Sequence, residues 1–154
     1  MIKSTDLYVC RLQGEIFEKS LEMVNCGSAS FIRNFMNSNI VAHIDSSDIG
    51  IESISINQIY KEYFNQYGNR SYGKKKYSAK ALYWIGYTYR YWNKLYNQTS
   101  KSIYKTINGK EMNDLYLPYH TFSSEKAIQR IIDSKGQTQN DEYLMNAMRK
   151  VLNI

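Results

Sequence analysis

One proline, Pro118, in a chain of 154 residues leaves almost nothing to interrupt a helix. Proline lacks the backbone donor and clashes with the preceding turn, so its scarcity lets a period of 3.6 run through most of the chain. From Leu7, an apolar stripe of Leu7, Cys10, Gly14, Phe17, Leu21 and Val24 faces a polar row of Arg11, Glu15, Glu18 and Glu22. Ser4, Thr5 or Asp6 is placed to cap this first helix, and Asn25-Cys26-Gly27 to stop it. Ser28 or Ser30 opens a second helix carrying Phe31, Ile32, Phe35, Met36, Ile40 and Ile44, which Asp45 ends. Residues 45–55 read as a loop, with the alternation Ile49, Ile51, Ile54, Ile56 admitting a short strand as the alternative.

A third helix gathers Ile56, Ile59, Tyr60, Tyr63, Phe64 and Tyr67 before Gly68. The segment from Gly68 to Tyr77 is a basic loop, after which Ser78 caps the most informative stretch, Ala79 to Asn97. Leu82, Ile85, Tyr89, Trp92 and Tyr96 share one side of that helix, and Trp84, Tyr91 and Leu95 another. A helix apolar almost all round belongs at the centre of a bundle. Gly86, beside the main apolar face, would let a neighbouring helix approach closely. Tyr83, Tyr87, Arg90 and Lys94 form its one polar strip.

Thr99 and Ser100 cap a short helix through Ile107, and Asn108-Gly109 is a turn. A further helix carrying Met112, Leu115 and Tyr116 should finish near Tyr116, because proline disfavours helical dihedrals in the residue before it. Ser123 or Ser124 caps a helix with Ala127, Ile128, Ile131 and Ile132, which Gly136 closes. After a polar connector at 137–140, the last helix runs from Asp141 to Leu152. The expected fold is all-α: a compact single-domain bundle, residues 1–154, of about six to seven helices around a central Tyr/Trp-rich helix. Helix 141–152 is either docked on the domain or packed on a partner.

A chain of this size can enclose a core without staples, and 43% hydrophobic with 22% charged residues is a globular balance. Cys10 and Cys26 are too few for a disulfide framework and lack zinc-site spacing, so both are expected as buried thiols. The first residues lack the marks of a signal peptide, and no apolar run reaches membrane-spanning length; the expected location is the cytoplasm, with no membrane partner.

Charge is unevenly placed. Residues 61–110 hold eleven Lys or Arg against Glu62 alone, whereas residues 1–60 hold four against seven acids. Ten of the fifteen tyrosines fall between Tyr60 and Tyr96, so cations and aromatics interleave in that same stretch. The expected binding surface comprises Lys74, Lys75, Lys76, Lys80, Tyr83, Tyr87, Arg90, Lys94, Lys101 and Lys105. Such a field draws an acidic partner, a protein first and nucleic acid as the alternative, with Tyr83 or Tyr87 stacking on bases. A plainer account stands beside it: tyrosines at helical spacing are core, and the cations are a solvated face balancing Glu15, Glu18 and Glu22.

Catalytic patterns are weak. His43 and His120 are the only histidines, and neither belongs to a ligand-spaced motif or to a nucleophile-base pattern. An enzyme reading would have to rest on an unfamiliar site around His120 and Tyr119. The Glu15, Glu18, Glu22 row has no Glu-x-x-His partner to complete a di-metal site, and Gly68 and Gly73 do not fit a phosphate-binding glycine loop. No metal or cofactor is expected. The helix pair from Ser100 to Tyr119 has a helix-turn-helix outline, but its second helix would present Glu111 and Asp114 to phosphates.

Three stretches, Ser30 to Ser38 (SFIRNFMNS), Ala81 to Tyr87 (ALYWIGY) and Leu115 to Thr121 (LYLPYHT), resemble small bacterial proteins encoded beside toxin-like genes. The resemblance spans Tyr8 to Ile132 and implies an antitoxin-like or other accessory role exercised by binding, with a toxin as the partner.

Overall fold

The computed structural model describes residues 2–46 and 55–152, and their side chains except at 137–143. Among the described residues every regular element is a helix: α1 (Ser4–Met23), α2 (Ser28–Met36), α3 (Asn39–Ser46), α4 (Ile56–Tyr67), α5 (Ala79–Tyr96), α6 (Ser100–Thr106), α7 (Gly109–Tyr119) and α8 (Ser124–Leu152). The all-α expectation holds; the loop or strand expected at 45–55 lies, for residues 47–54, outside the described residues. Two compact units divide the chain, Met1–His120 with α1 to α7 and Thr121–Ile154 with α8.

The first unit is organised by α1 lying along α5. Glycine permits that approach: a Cβ on Gly86 would come within 2.6 Å of the Gln13 carbonyl oxygen and 2.8 Å of the Phe17 ring. Tyr83 fills the matching space over Gly14. Around this contact Leu82, Ile85, Tyr89 and Trp92 are all buried, which makes α5 the central helix its sequence announces. Phe17 meets Phe31 edge-on at 5.5 Å and Phe35 at 5.2 Å, and Phe31 continues the cluster to Tyr60 and Tyr63. Offset and edge-on pairs of this kind add about 0.5–1.5 kcal/mol each beyond the area they bury.

The polar tips of Tyr60, Tyr89 and Trp92 have partners, as burial requires. The Tyr60 hydroxyl donates to the Ile16 carbonyl, Tyr89 donates to the Ile107 carbonyl at 2.7 Å, and Trp92 Nε1 donates to Gln98 Oε1 at 2.9 Å. Cys10 and Cys26 are free and buried. Burial pushes the Cys10 thiol up to about 12.

Ser78, Thr99 and Ser123 cap α5, α6 and α8 where the sequence puts them, each accepting a hydrogen bond from the backbone N–H three residues on; Ser55 caps α4 in the same way. The first two caps differ: Lys3 precedes α1 and Gly27 precedes α2, so Ser4 and Ser28 are already the first helical residues. Three boundaries differ as well. The second expected helix is two, because Ser38 Oγ accepts from Val41 N at 3.0 Å and starts α3 afresh. Pro118 lies inside α7, which reaches Tyr119; its missing donor costs one bond in the last turn, and His120 N still donates to the Tyr116 carbonyl at 2.9 Å. Asn108 is the N-cap of that helix rather than a turn residue, in a reciprocal box with Glu111.

In the second unit α8 runs unbroken through Gly136 and the expected connector. A mid-helix glycine weakens a helix by roughly 1 kcal/mol without ending it. Ala127, Ile128 and Ile131 are buried, whereas Leu144, Met145, Met148, Val151 and Leu152 are exposed. Lys126 Nζ and the Arg130 guanidinium lie 4.5 and 5.0 Å from the Phe122 ring centre. No helix among the described residues is long and apolar enough to cross a membrane.

Candidate functional site: a basic loop between two clefts

Residues 68–77 carry no regular structure, yet backbone bonds hold them against the start of α2. Gly27 N donates to the Tyr72 carbonyl and Ser28 N to the Lys75 carbonyl, both at 2.9 Å. Tyr77 N donates to Ser28 Oγ at 2.9 Å. Two glycines make the seam close. Gly73 adopts φ +77°, a left-handed conformation, and a Cβ on Gly27 would lie 3.2–3.3 Å from backbone atoms of residues 73–75. The Lys76 ammonium closes the seam from the other side, donating to the carbonyls of Val24 at 2.9 Å and Cys26 at 2.7 Å.

A cleft lies on each side of the loop, with Ser30 in both walls. The first, of about 280 Å³, is lined by Arg33, Asn34, Tyr63, Tyr67, Asn69, Arg70 and Tyr72 among others, with no carboxylate among the described residues of its wall. Its floor is preorganised: Asn34 Nδ2 donates to the Tyr63 hydroxyl at 3.1 Å, and burial raises that phenol to about 12. The Arg33 guanidinium sits 6.0 Å from the ring centre of Tyr72, which is 72% exposed. The second cleft, of about 250 Å³, has Lys74, Lys75 and Lys110 on its wall together with Asp114.

The expected site residues fall in several places. Lys74 and Lys75 are exposed on the second cleft. Lys76 is occupied by the two carbonyls that it clamps. Lys80 is exposed on the first turn of α5, while Lys94, half-buried, is fourteen residues on, about 21 Å along the helix axis. Lys101 lies beside Asp45 and Thr99 on a separate cleft of about 430 Å³, and Lys105 is exposed on the last turn of α6. Tyr83 and Tyr87 are half-buried and stack on each other at 6.1 Å, Tyr87 stacking again on Tyr91 at 6.2 Å. The Tyr83 ring lies over Gly14 of α1, which places this tyrosine against that helix.

Arg90 has to be corrected. It was expected on the basic surface, but its side chain is fully buried. Its Nη1 donates to Asp45 Oδ1 at 2.6 Å and to Asn93 Oδ1 at 2.9 Å, and its Nε donates to Gln13 Oε1 at 2.9 Å. Asp45 also accepts from Ser100 N at 2.8 Å and Ser100 Oγ at 2.7 Å. Burial lowers the Arg90 pKa, and the Asp45 carboxylate opposes that shift. A charge this deep persists because its carboxylate and hydrogen bonds compensate it.

Arg33, Arg70 and Lys110 are members of the basic face that the sequence reading did not include. Arg70 is on the loop itself with Lys74 and Lys75, and the loop's attachment to α2 brings Arg33 of α2 and Lys110 of α7 beside them. The histidines are apart from both clefts: His43 is exposed on α3, and His120 stacks on Tyr116 at 4.6 Å with Nδ1 2.8 Å from the Tyr116 carbonyl oxygen. No group of three His, Cys, Asp or Glu that could hold a metal gathers among the described residues. Neither the protein-family models, nor the curated proteins, nor the solved structures contain a match to this chain.

Proposed function

We propose that this chain is a non-enzymatic binding protein of antitoxin-like character, which covers an acidic surface of a partner protein with the loop Gly68–Lys76 and its surroundings. One observation carries the reading. The loop is pinned to α2 by its own backbone at Tyr72 and Lys75, and Arg70, Lys74 and Lys75 are exposed beside Arg33 and Lys110 around two clefts. None of Arg33, Arg70, Lys74 and Lys75 forms an ion pair among the described residues. A cationic face held in one conformation loses less entropy on docking than a free loop, and its charge steers an acidic partner toward it.

A protein partner suits this face better than a nucleic acid strand. Sequence-tolerant strand binding combines a cationic track with a row of stacking rings. Here Tyr83 stacks on Tyr87 and lies over Gly14 of α1, and Lys94 and Lys101 are at the far end of α5 from Lys74 and Lys75. The test is co-expression with the product of the neighbouring gene, followed by size-exclusion chromatography at low and high salt. The reading expects a complex at low salt that dissociates as salt screens it. Two separate elution peaks at low salt would contradict it, as would a mobility shift with single-stranded DNA or RNA and none with the protein.

A further inference from the structure

The cleft between α2, α4 and the loop has a chemistry of its own, which does not rest on the partner reading. Two arginines, Arg33 and Arg70, share a wall with Asn34, Asn69 and Ser30. No carboxylate accompanies them among the described residues of the wall, so the cleft holds two positive charges without an internal counter-ion. Arginine is the side chain whose planar fork matches phosphate oxygens two at a time. Two of them match the charge of a phosphate monoester, close to minus two near neutral pH.

The rest of the lining is aromatic. Tyr63, Tyr67 and Tyr72 occupy the same wall, so the space is larger and more apolar than a bare phosphate ion requires. Its volume, about 280 Å³, is near the lower end of small-molecule sites, which begin at about 300 Å³. Tyr72 is 72% exposed, and Arg33 approaches its ring at 6.0 Å. A flat ring can stack on it while the phosphate reaches the guanidinium groups.

We infer that this cleft is a binding site for a small phosphate monoester with a planar body, of the size of a single nucleotide. Arg33 and Arg70 hold the phosphate, and Tyr72 carries the ring. The Asn34–Tyr63 hydrogen bond ties α2 to α4 along this cleft.

Isothermal titration of the full chain with AMP, adenosine and inorganic phosphate tests this. AMP should bind with one-to-one stoichiometry, inorganic phosphate more weakly and adenosine least. Arg33→Gln and Arg70→Gln should each weaken AMP at least about tenfold, the scale of one lost charge-assisted contact. Arg33→Lys, which keeps the charge but loses the fork, should fall between. Both arginines are exposed, and thermal melts should show the variants folded. Lys74→Glu/Lys75→Glu, on the other cleft, should leave AMP binding within about threefold, so a failed partner reading and a failed nucleotide site give different results.

Absence of AMP binding at millimolar concentration, or binding that survives both arginine substitutions, would overturn the inference. Inorganic phosphate binding as tightly as AMP would reassign the cleft to free phosphate and overturn the monoester. Adenosine binding as tightly as AMP would remove the role given to the arginines.

Discussion

Arg90 and Asp45 meet at 2.6 Å, the arginine side chain out of solvent altogether and the aspartate 11% exposed. The pair joins α3 to α5, and through Gln13 and Ser100 it also engages α1 and α6. Four helices of the first unit therefore converge on one ion pair, which turns a residue expected to bind a partner into part of the frame that carries the binding loop.

Removing one member of that pair leaves the other charge buried without compensation. Asp45→Asn should destabilise the protein by about 3–5 kcal/mol, read as a lower urea midpoint, and the doubly apolar Asp45→Leu/Arg90→Met should recover much of the loss. A loss below about 1 kcal/mol for Asp45→Asn would mean that the pair is not held as described.

Two glycines make opposite predictions. Gly86→Ala places a methyl 2.6 Å from the Gln13 carbonyl oxygen, so overpacking of about 1–3 kcal/mol should exceed the helix-propensity gain of roughly 1 kcal/mol. Gly136→Ala meets nothing within 4 Å on α8 and should raise helix stability by up to about 1 kcal/mol. Thermal melts of both variants check the pair, and a stabilising Gly86→Ala would contradict the α1–α5 contact.

Alkaline pH should unfold this protein steeply. Burial raises the phenols of Tyr60, Tyr63 and Tyr89 above the ordinary value of 10.0, Tyr63 to about 12. A raised folded pKa means that the native state keeps protons which the unfolded state loses, so stability is full below pH 10 and falls as pH rises from there toward 12. Each such phenol contributes a slope of up to about 1.4 kcal/mol per pH unit. Urea melts from pH 9 to 12, paired with tyrosinate absorbance, should show ionisation of these rings coinciding with unfolding. Their titration near 10 in the folded protein would contradict it.

The two cysteines should differ toward thiol reagents. Cys10 is fully buried with its thiol raised to about 12, whereas Cys26 borders the first cleft with 5% exposure. At pH 8 the native protein should react at Cys26 first, with Cys10 reacting only on unfolding, because thiolate and access both control the rate. Peptide mapping after brief labelling distinguishes them.

What could be read along the chain was whatever local chemistry decides. The caps at Ser78, Thr99 and Ser123, the buried face of α5 from Leu82 to Trp92 and the close approach at Gly86 follow from spacing and side-chain size within a few residues, whereas Tyr96 on that same face is exposed. Boundaries set by competing local signals were harder. Ser38 stops one helix and starts another inside a continuous apolar stripe, and Pro118 and Gly136 are absorbed where neighbouring turns supply enough bonds. The site was least legible, because a helical wheel assigns a face but not what lies opposite. The Arg90 strip meets Asp45, Gln13 and Ser100, all distant in sequence or on other helices, and Arg33 and Lys110 join the basic loop only through the seam at Gly27 and Ser28.

The basic face is defined most directly by comparing two charge reversals in one binding titration against the co-expressed partner. Lys74→Glu/Lys75→Glu should weaken the complex at low salt at least about tenfold, chiefly through a slower association rate, whereas Lys101→Glu/Lys105→Glu should change it less than about threefold. Equal losses for the two, or a larger loss for Lys101→Glu/Lys105→Glu, would contradict the assignment of binding to the loop held on α2.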